Sequence, residues 1–318
     1  MKEIFSQLIS PDPSIKEVHA STVLKIGDKL LCAFFGGTKE GKDDVKILLS
    51  VFENNRWSKP EIIASGDSEP CWNPVLFQYG GETLLFYKTG KKIPKWKTML
   101  KTSSDGGKTW SEAKELVSGD LGGRGPVKNK PIMLSDGSIC APASIETADS
   151  WDCFTDVSHD NGKTWQRSGF VPFDHSAAEG LGIIQPTLWQ DGETVYMLMR
   201  SSEGKIFKSQ SSDFGKTWSP AEETQLPNNN SGIDCVRLND GRVFVVYNPI
   251  SDNWGKRYII GYSLSGDNAE SFTDCEIIEQ SENIFDEFSY PAVITDGKLI
   301  YLTYTHNRKD VMFKIFEI

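Results

Sequence analysis

The feature that most limits the folds open to this chain is an eight-residue pattern that occurs three times. Ser103-Ser104-Asp105-Gly106-Gly107-Lys108-Thr109-Trp110 returns as Ser158-His159-Asp160-Asn161-Gly162-Lys163-Thr164-Trp165 and as Ser211-Ser212-Asp213-Phe214-Gly215-Lys216-Thr217-Trp218. All three obey Ser-x-Asp-x-Gly-x-x-Trp. Their starts step by 55 and 53 residues, and periods of this size belong to stacked or radial repeats. Two weaker copies extend the series. Ser50–Trp57 keeps the Ser and the Trp, and Ser265–Phe272 keeps Ser and Asp, with Ala269 for Gly and Phe272 for Trp.

A second punctuation runs in step with the first. Turn dipeptides between apolar runs occur at Gly27-Asp28, Gly80-Gly81, Asp136-Gly137, Asp191-Gly192, Asp240-Gly241 and Asp296-Gly297. Such dipeptides are strong hairpin signals. Each of the first five precedes one Ser-x-Asp turn, so a unit reads strand A, tight turn, strand B, loop, strand C, Ser-x-Asp turn, strand D. No window carries a sustained 3.6-residue period with caps, so helix is expected to be scarce. Four-stranded units of this length in radial array make a β-propeller. The expected fold is therefore all-β: a six-bladed propeller of four-stranded antiparallel blades in one domain, 1–318. The sixth unit lacks an outer strand, and Ile4–Ile9 is expected to supply it and close the ring, hiding two sheet edges.

Composition excludes some functions. The chain has 318 residues and a formal charge of −10, which argues against a nucleic-acid partner, since that requires a basic face. The six Cys show no metal-ligand spacing and mostly lie in apolar runs, so buried reduced thiols are expected and neither metal nor other cofactor is called for. No stretch has the length to span a bilayer, and residues 1–13 lack a basic start followed by an apolar run. A cytoplasmic location is the expectation. The repeated turn could bind sugar or calcium at each copy. Its Ser and Asp can equally bond back to loop amides while Gly takes a positive φ and Trp packs between sheets, which makes it scaffold.

In a radial array the starts of strands A and the ends of strands B line one funnel. Counting back from each hairpin gives a polar ring: His19, Asn73, Lys130, Gln185, Asp234 and Tyr290. Four of these precede Pro, which favours an extended approach to the strand. The adjoining strand ends and loops add Glu40, Asp43, Asp44, Lys88, Arg124, Lys128, Arg200, Arg257 and Glu287. An acidic chain thus directs several cations to one face, and this points to an anionic ligand. A carboxylate is the natural choice, because arginine grips it through two parallel hydrogen bonds.

Several segments resemble the sialidase superfamily, with its Asp-box repeats and six-bladed propeller. They are His19-Ala20-Ser21-Thr22, Phe35-Gly36-Gly37-Thr38-Lys39-Glu40-Gly41, Lys128-Asn129-Lys130-Pro131, Gln185-Pro186-Thr187-Leu188-Trp189, Leu226-Pro227-Asn228-Asn229-Asn230-Ser231-Gly232 and Tyr290-Pro291-Ala292. The resemblance covers nearly the whole chain. It implies three Arg on a substrate carboxylate, a Tyr nucleophile assisted by a Glu, and an Asp acid/base. By unit, Arg200 and Arg257 correspond to two of the arginines, Tyr290 to the nucleophile, and Asp44, with Glu40 and Asp43 as alternatives, to the acid. Two positions depart from the pattern. His19 stands where the first Arg belongs and Gln185 where the assisting Glu belongs, so Tyr290 needs another base, with Glu287 as candidate.

The ring residues also have plain readings. Tyr290 and His19 could be packed and satisfied side chains, and Arg257 a surface one. Three functions stay open: a hydrolase acting on a carboxylate-bearing sugar at a glycan terminus with an altered active ring, a lyase acting on uronate-containing glycans, or a non-catalytic carbohydrate-binding propeller. In each the partner is an anionic oligosaccharide or glycoside. Substrate contacts would come from Arg200, Arg257, Arg124, Lys88, Lys130, Asn73, Gln185 and Asp234. Chemistry would come from Tyr290, Asp44, Glu40, Glu287 and His19.

Overall fold

The computed structural model describes residues 1–318, which divide into two compact units, 1–122 with 290–318, and 123–289. The chain is all-β, and its one helical element is the 3-10 turn Ile93–Lys95. Six antiparallel sheets form, the blades of the six-bladed β-propeller expected from the repeat. Strands pair in chain order within a blade. In the fourth, Ile183–Asp191, Thr194–Ser201, Lys205–Ser211 and Glu222–Pro227 follow one another across the sheet. The first blade carries an extra strand, Glu61–Ala64, paired with Lys46–Glu53.

Hairpin chemistry and hydrophobic pattern explain the blades. Asp191 pairs with Thr194 around Gly192, whose φ of 59° is the left-handed value a two-residue turn demands. Val243–Tyr247, a central strand, is apolar and buried along its whole length, as a strand covered on both faces should be. The sixth blade is completed from the other end of the chain. Lys2–Ile9 pairs with Asp310–Glu317 as its outer strand, from Lys2 opposite Glu317 to Ile9 opposite Val311. Ile9, Val311 and Phe313 then join Phe34 and Phe52 in one apolar cluster of the first unit.

The repeated turn is scaffold, as its chemistry suggested. Oδ1 of Asp160 accepts from Ser158 Oγ and from the amides of Lys163 and Thr164, and Oδ2 accepts from Thr164 Oγ1. The Asp105 and Asp213 copies repeat this pattern. Trp218 Nε1 donates to Thr155 Oγ1 at 3.1 Å, and that hydroxyl donates to Gly215 O at 2.6 Å, so the turn of the fourth blade is pinned to the third. The first copy has no Asp and becomes a tight turn at Asn54 and Asn55, with φ of 54° and 59°. Five of the six cysteines are buried thiols, and Cys275 is half-buried.

Candidate functional site

The inner strands of several blades carry a common kink. Pairing shifts between His19 and Thr22, between Trp72 and Val75, and between Ile184 and Thr187. At these places Ala20, Asn73 and Gln185 adopt φ of 53°, 38° and 50°, and Tyr290 adopts 54°. A bulge with one left-handed residue re-aims the adjoining side chains, and such strain gathers at functional sites. Two expectations are corrected here. The residues before Pro74, Pro186 and Pro291 are left-handed, not extended, and at Pro74 and Pro186 the bulge governs the backbone. Ala20, not His19, is the counterpart of Asn73, Gln185 and Tyr290, so His19 matches Trp72 and Ile184. Asp234 and its partner Val246 pair in regular register, so the six ring positions are not equivalent.

In the first unit the re-aimed residues meet. The His19 and Tyr290 rings lie 4.1 Å apart between centroids, tilted by 47°. Phe35 stands edge-on to His19 at 5.7 Å, and Trp72 lies 5.9 Å from Phe35. His19 is buried, and its Nδ1 hydrogen-bonds Thr305 Oγ1 at 2.8 Å. Opposite Trp72, Lys88 is buried with its Nζ donating to Thr98 Oγ1 at 2.6 Å. Asn73 is buried at its bulge. All three loop carboxylates are engaged. Asp44 accepts from Thr38 N and Oγ1, both at 3.0 Å. Asp43 pairs with Lys91 at 2.9 Å and Glu40 with Arg308. A cavity of about 650 Å³ in this unit is lined by Tyr87, Lys97, Lys101 and Glu115 among others, and by none of these site residues.

The second unit brings together two arginines. Arg200, opposite the bulge at Ile184, is buried. Its Nε donates to Asn230 Oδ1 and its Nη1 to Gln185 Oε1, each at 2.8 Å. Gln185 thus serves as a neutral rest for the guanidinium. Arg257 donates through Nη2 to Asn230 O at 3.3 Å and through Nη1 to Glu287 Oε1 at 3.2 Å, and Ser289 Oγ also donates to that oxygen. Trp254, 64% exposed, has its ring 6.0 Å from the Arg200 guanidinium carbon and 6.2 Å from the Trp151 ring. Sequence reasoning gave no role to Asn230, Trp254 or Trp151. The four consecutive polar residues Asn228–Ser231 were the available signal.

Other expected ligand-facing cations are committed elsewhere. Arg124 is held by a carboxylate. Its guanidinium is bound to Asp156, with Nη2 at 2.7 Å and Nε at 2.8 Å from Oδ1, and to Trp165 O at 2.8 Å. Asp156 is fully buried, and a buried carboxylate requires a cation beside it. Lys130 bonds both oxygens of Asp234 at 2.9 Å, so these two charges cancel. Lys128 is buried, with Nζ donating to Asn129 Oδ1 and Ile233 O. Burial first, and then Lys130 and Arg200 nearby, push its pKa down to about 7 against the opposing pull of Asp234.

A family model described as BNR repeat-like domain matches residues 28–302. A sialidase from Paraclostridium sordellii is 28% identical over 142 residues, covering 39% of this chain and 32% of that protein. The chain thus spans about a third of the length of that curated relative. Among solved structures, a protein of unknown function from Dyadobacter fermentans superposes with a TM-score of 0.79 at 15% identity, covering 100% of this chain and 99% of the other. The Trypanosoma rangeli sialidase in complex with sialic acid gives 0.72 at 14% identity, covering 98% of this chain and 59% of that one. At these identities the structural likeness speaks for the fold.

Proposed function

The chain belongs to the BNR repeat-like domain family of the sialidase superfamily, and on that footing we propose that it is a glycoside hydrolase acting on a carboxylate-bearing sugar at a glycan terminus. The observation that carries this reading is the pair of guanidiniums, Arg200 and Arg257, both held on Asn230. Guanidinium forks match a carboxylate in shape and charge. The reading is supported by the Trypanosoma rangeli protein of similar fold, which takes sialic acid as its ligand.

In the proposed reaction Tyr290 Oη attacks the anomeric carbon as the glycosidic C–O bond breaks. The leaving oxygen takes its proton from Asp44 or Glu40, and water then displaces the tyrosine from the glycosyl intermediate. A phenol is the fitting nucleophile, because a carboxylate would be repelled by the sugar's own carboxylate, and sialidases are a recognised exception to the two-carboxylate scheme. A phenol needs a base to shed its proton. Gln185 cannot take one, and Glu287 is engaged by Arg257 and Ser289. His19, packed on the Tyr290 ring, is the base in this proposal.

The test is turnover of an aryl sialoside and an aryl glucuronide. Tyr290→Phe is expected to lower the rate on the order of 10³-fold or more. Rates equal to wild type would remove Tyr290 from the chemistry. Asp44→Asn and Glu40→Gln distinguish the acid, since losing it slows natural glycosides far more than aryl ones, whose leaving groups need no proton.

The pairing of an imidazole with a phenol favours one second reading. A uronate lyase needs a base on the C5 proton and a cation on the carboxylate, and makes an unsaturated product that absorbs in the ultraviolet. New absorbance with a uronate polymer, without sialoside cleavage, would decide for elimination. Binding without either reaction would leave a carbohydrate-binding propeller.

A further inference from the structure

The segment from Asn228 to Ser231 takes no part in the reaction above, yet all four residues are fully buried. Buried polar side chains are stable only where hydrogen-bond partners replace the water they lose. The partners of this run lie on two sides. Toward the end of Thr194–Ser201, Asn228 Oδ1 accepts from Ser201 N at 3.2 Å and Asn230 Oδ1 accepts from Arg200 Nε at 2.8 Å. Toward the loop 249–258, Asn229 Nδ2 donates to Gly255 O and Lys256 O at 3.4 and 2.7 Å. Asn230 Nδ2 donates to Asn253 Oδ1 at 2.9 Å, and Asn230 O accepts from Arg257 Nη2 at 3.3 Å.

Asn230 is the one residue in both sets. Its φ of 59° lies in the left-handed region, which asparagine tolerates better than most residues. That backbone lets its side-chain oxygen meet one guanidinium while its carbonyl meets the other. We propose that Asn230 is a positioning and specificity-determining residue that sets Arg200 and Arg257 at the separation at which both grip one carboxylate. This rests on the preceding reading that these arginines bind a ligand carboxylate. The residue type matters as much as the place. An amide holds Arg200 Nε without adding charge, whereas an aspartate there would compete with the ligand for both cations.

The experiment compares sialic acid with its methyl ester by calorimetry, on wild type, Arg200→Ala, Asn230→Ala and Asn230→Asp, with melting curves to verify folding. Asn230→Asp has nearly the volume of the native residue and decides the matter should Asn230→Ala fail to fold. Wild type is expected to prefer the acid. Both Asn230 variants are expected to bind the acid on the order of tenfold or more weaker while binding the ester as wild type does, so the acid-to-ester ratio falls. A merely structural role would lower the melting temperature without moving that ratio. Asn230 variants with the wild-type ratio, beside an Arg200→Ala that has lost it, overturn the proposal and leave the carboxylate reading standing. Arg200→Ala with the ratio intact, or a wild type with no preference for the acid, overturns the carboxylate reading, and this inference falls with it.

Discussion

Two arginines of this chain show how partner chemistry divides one residue type into two jobs. Arg200 rests on the neutral oxygens of Gln185 and Asn230, whereas Arg124 is bound to the buried Asp156. Arg124→Met is expected to strand that carboxylate and cost about 3–5 kcal/mol of stability in urea denaturation, with affinity for a carboxylated sugar unchanged. Arg200→Ala is expected to do the reverse, weakening binding by about 10–100-fold. Lys128 adds a pH dependence. Its folded pKa, about 7, lies below the ordinary lysine value, so the penalty of burying the ammonium is fully felt below that pH. Between there and about 10.4 the unfolded chain holds a proton that the folded one lacks, and stability rises with pH. Urea denaturation near neutral and alkaline pH should show that rise in wild type and a flatter profile in Lys128→Met.

Among the recurring elements, the Ser-x-Asp turn was almost wholly readable, because its partners lie within four residues of the Asp. Hydrogen bonds from the Thr164 hydroxyl and amide hold Asp160 down at about 2, and those from Ser271 do the same for Asp267. Both folded values lie below the unfolded one, so the stabilisation is present above about pH 4. It is lost as pH falls toward 2. Acid titration of the melting temperature should show wild type losing this contribution, and Asp160→Asn and Asp267→Asn losing less over the same range. The Thr164 hydroxyl is the largest cause of the Asp160 shift, so Thr164→Val should flatten the acid limb in the same way. The bulges were only half readable. Pro74 and Pro186 mark two of them, but Ser21 stands where the first blade would have its Pro. Counting from hairpins therefore slipped by one residue there and put His19 where Ala20 belongs.

For the molecule as a whole, the pairing of Lys2–Ile9 with Asp310–Glu317 is the contact that joins the two ends of the chain in one sheet. Without it, Asp310–Glu317 becomes an open edge beside a partly uncovered apolar cluster that includes Phe313 and Phe52. Removing residues 2–9 is expected to lower the melting temperature and to produce higher-order species in size-exclusion chromatography. An unchanged melting temperature and a single unchanged peak would show that this strand contributes little.

Blade number and strand order could be read from the linear chain, because turn chemistry and apolar alternation act between near neighbours. The assignment of charges could not. Lys130 finds Asp234 104 residues away, Arg124 finds Asp156 32 residues away, and Arg200 finds Asn230 30 residues away. Each side chain's meaning depends on whether its distant partner is a carboxylate or an amide. Only the folded arrangement of the strands decides that, since burial drives charges and amides toward partners wherever in the sequence those lie.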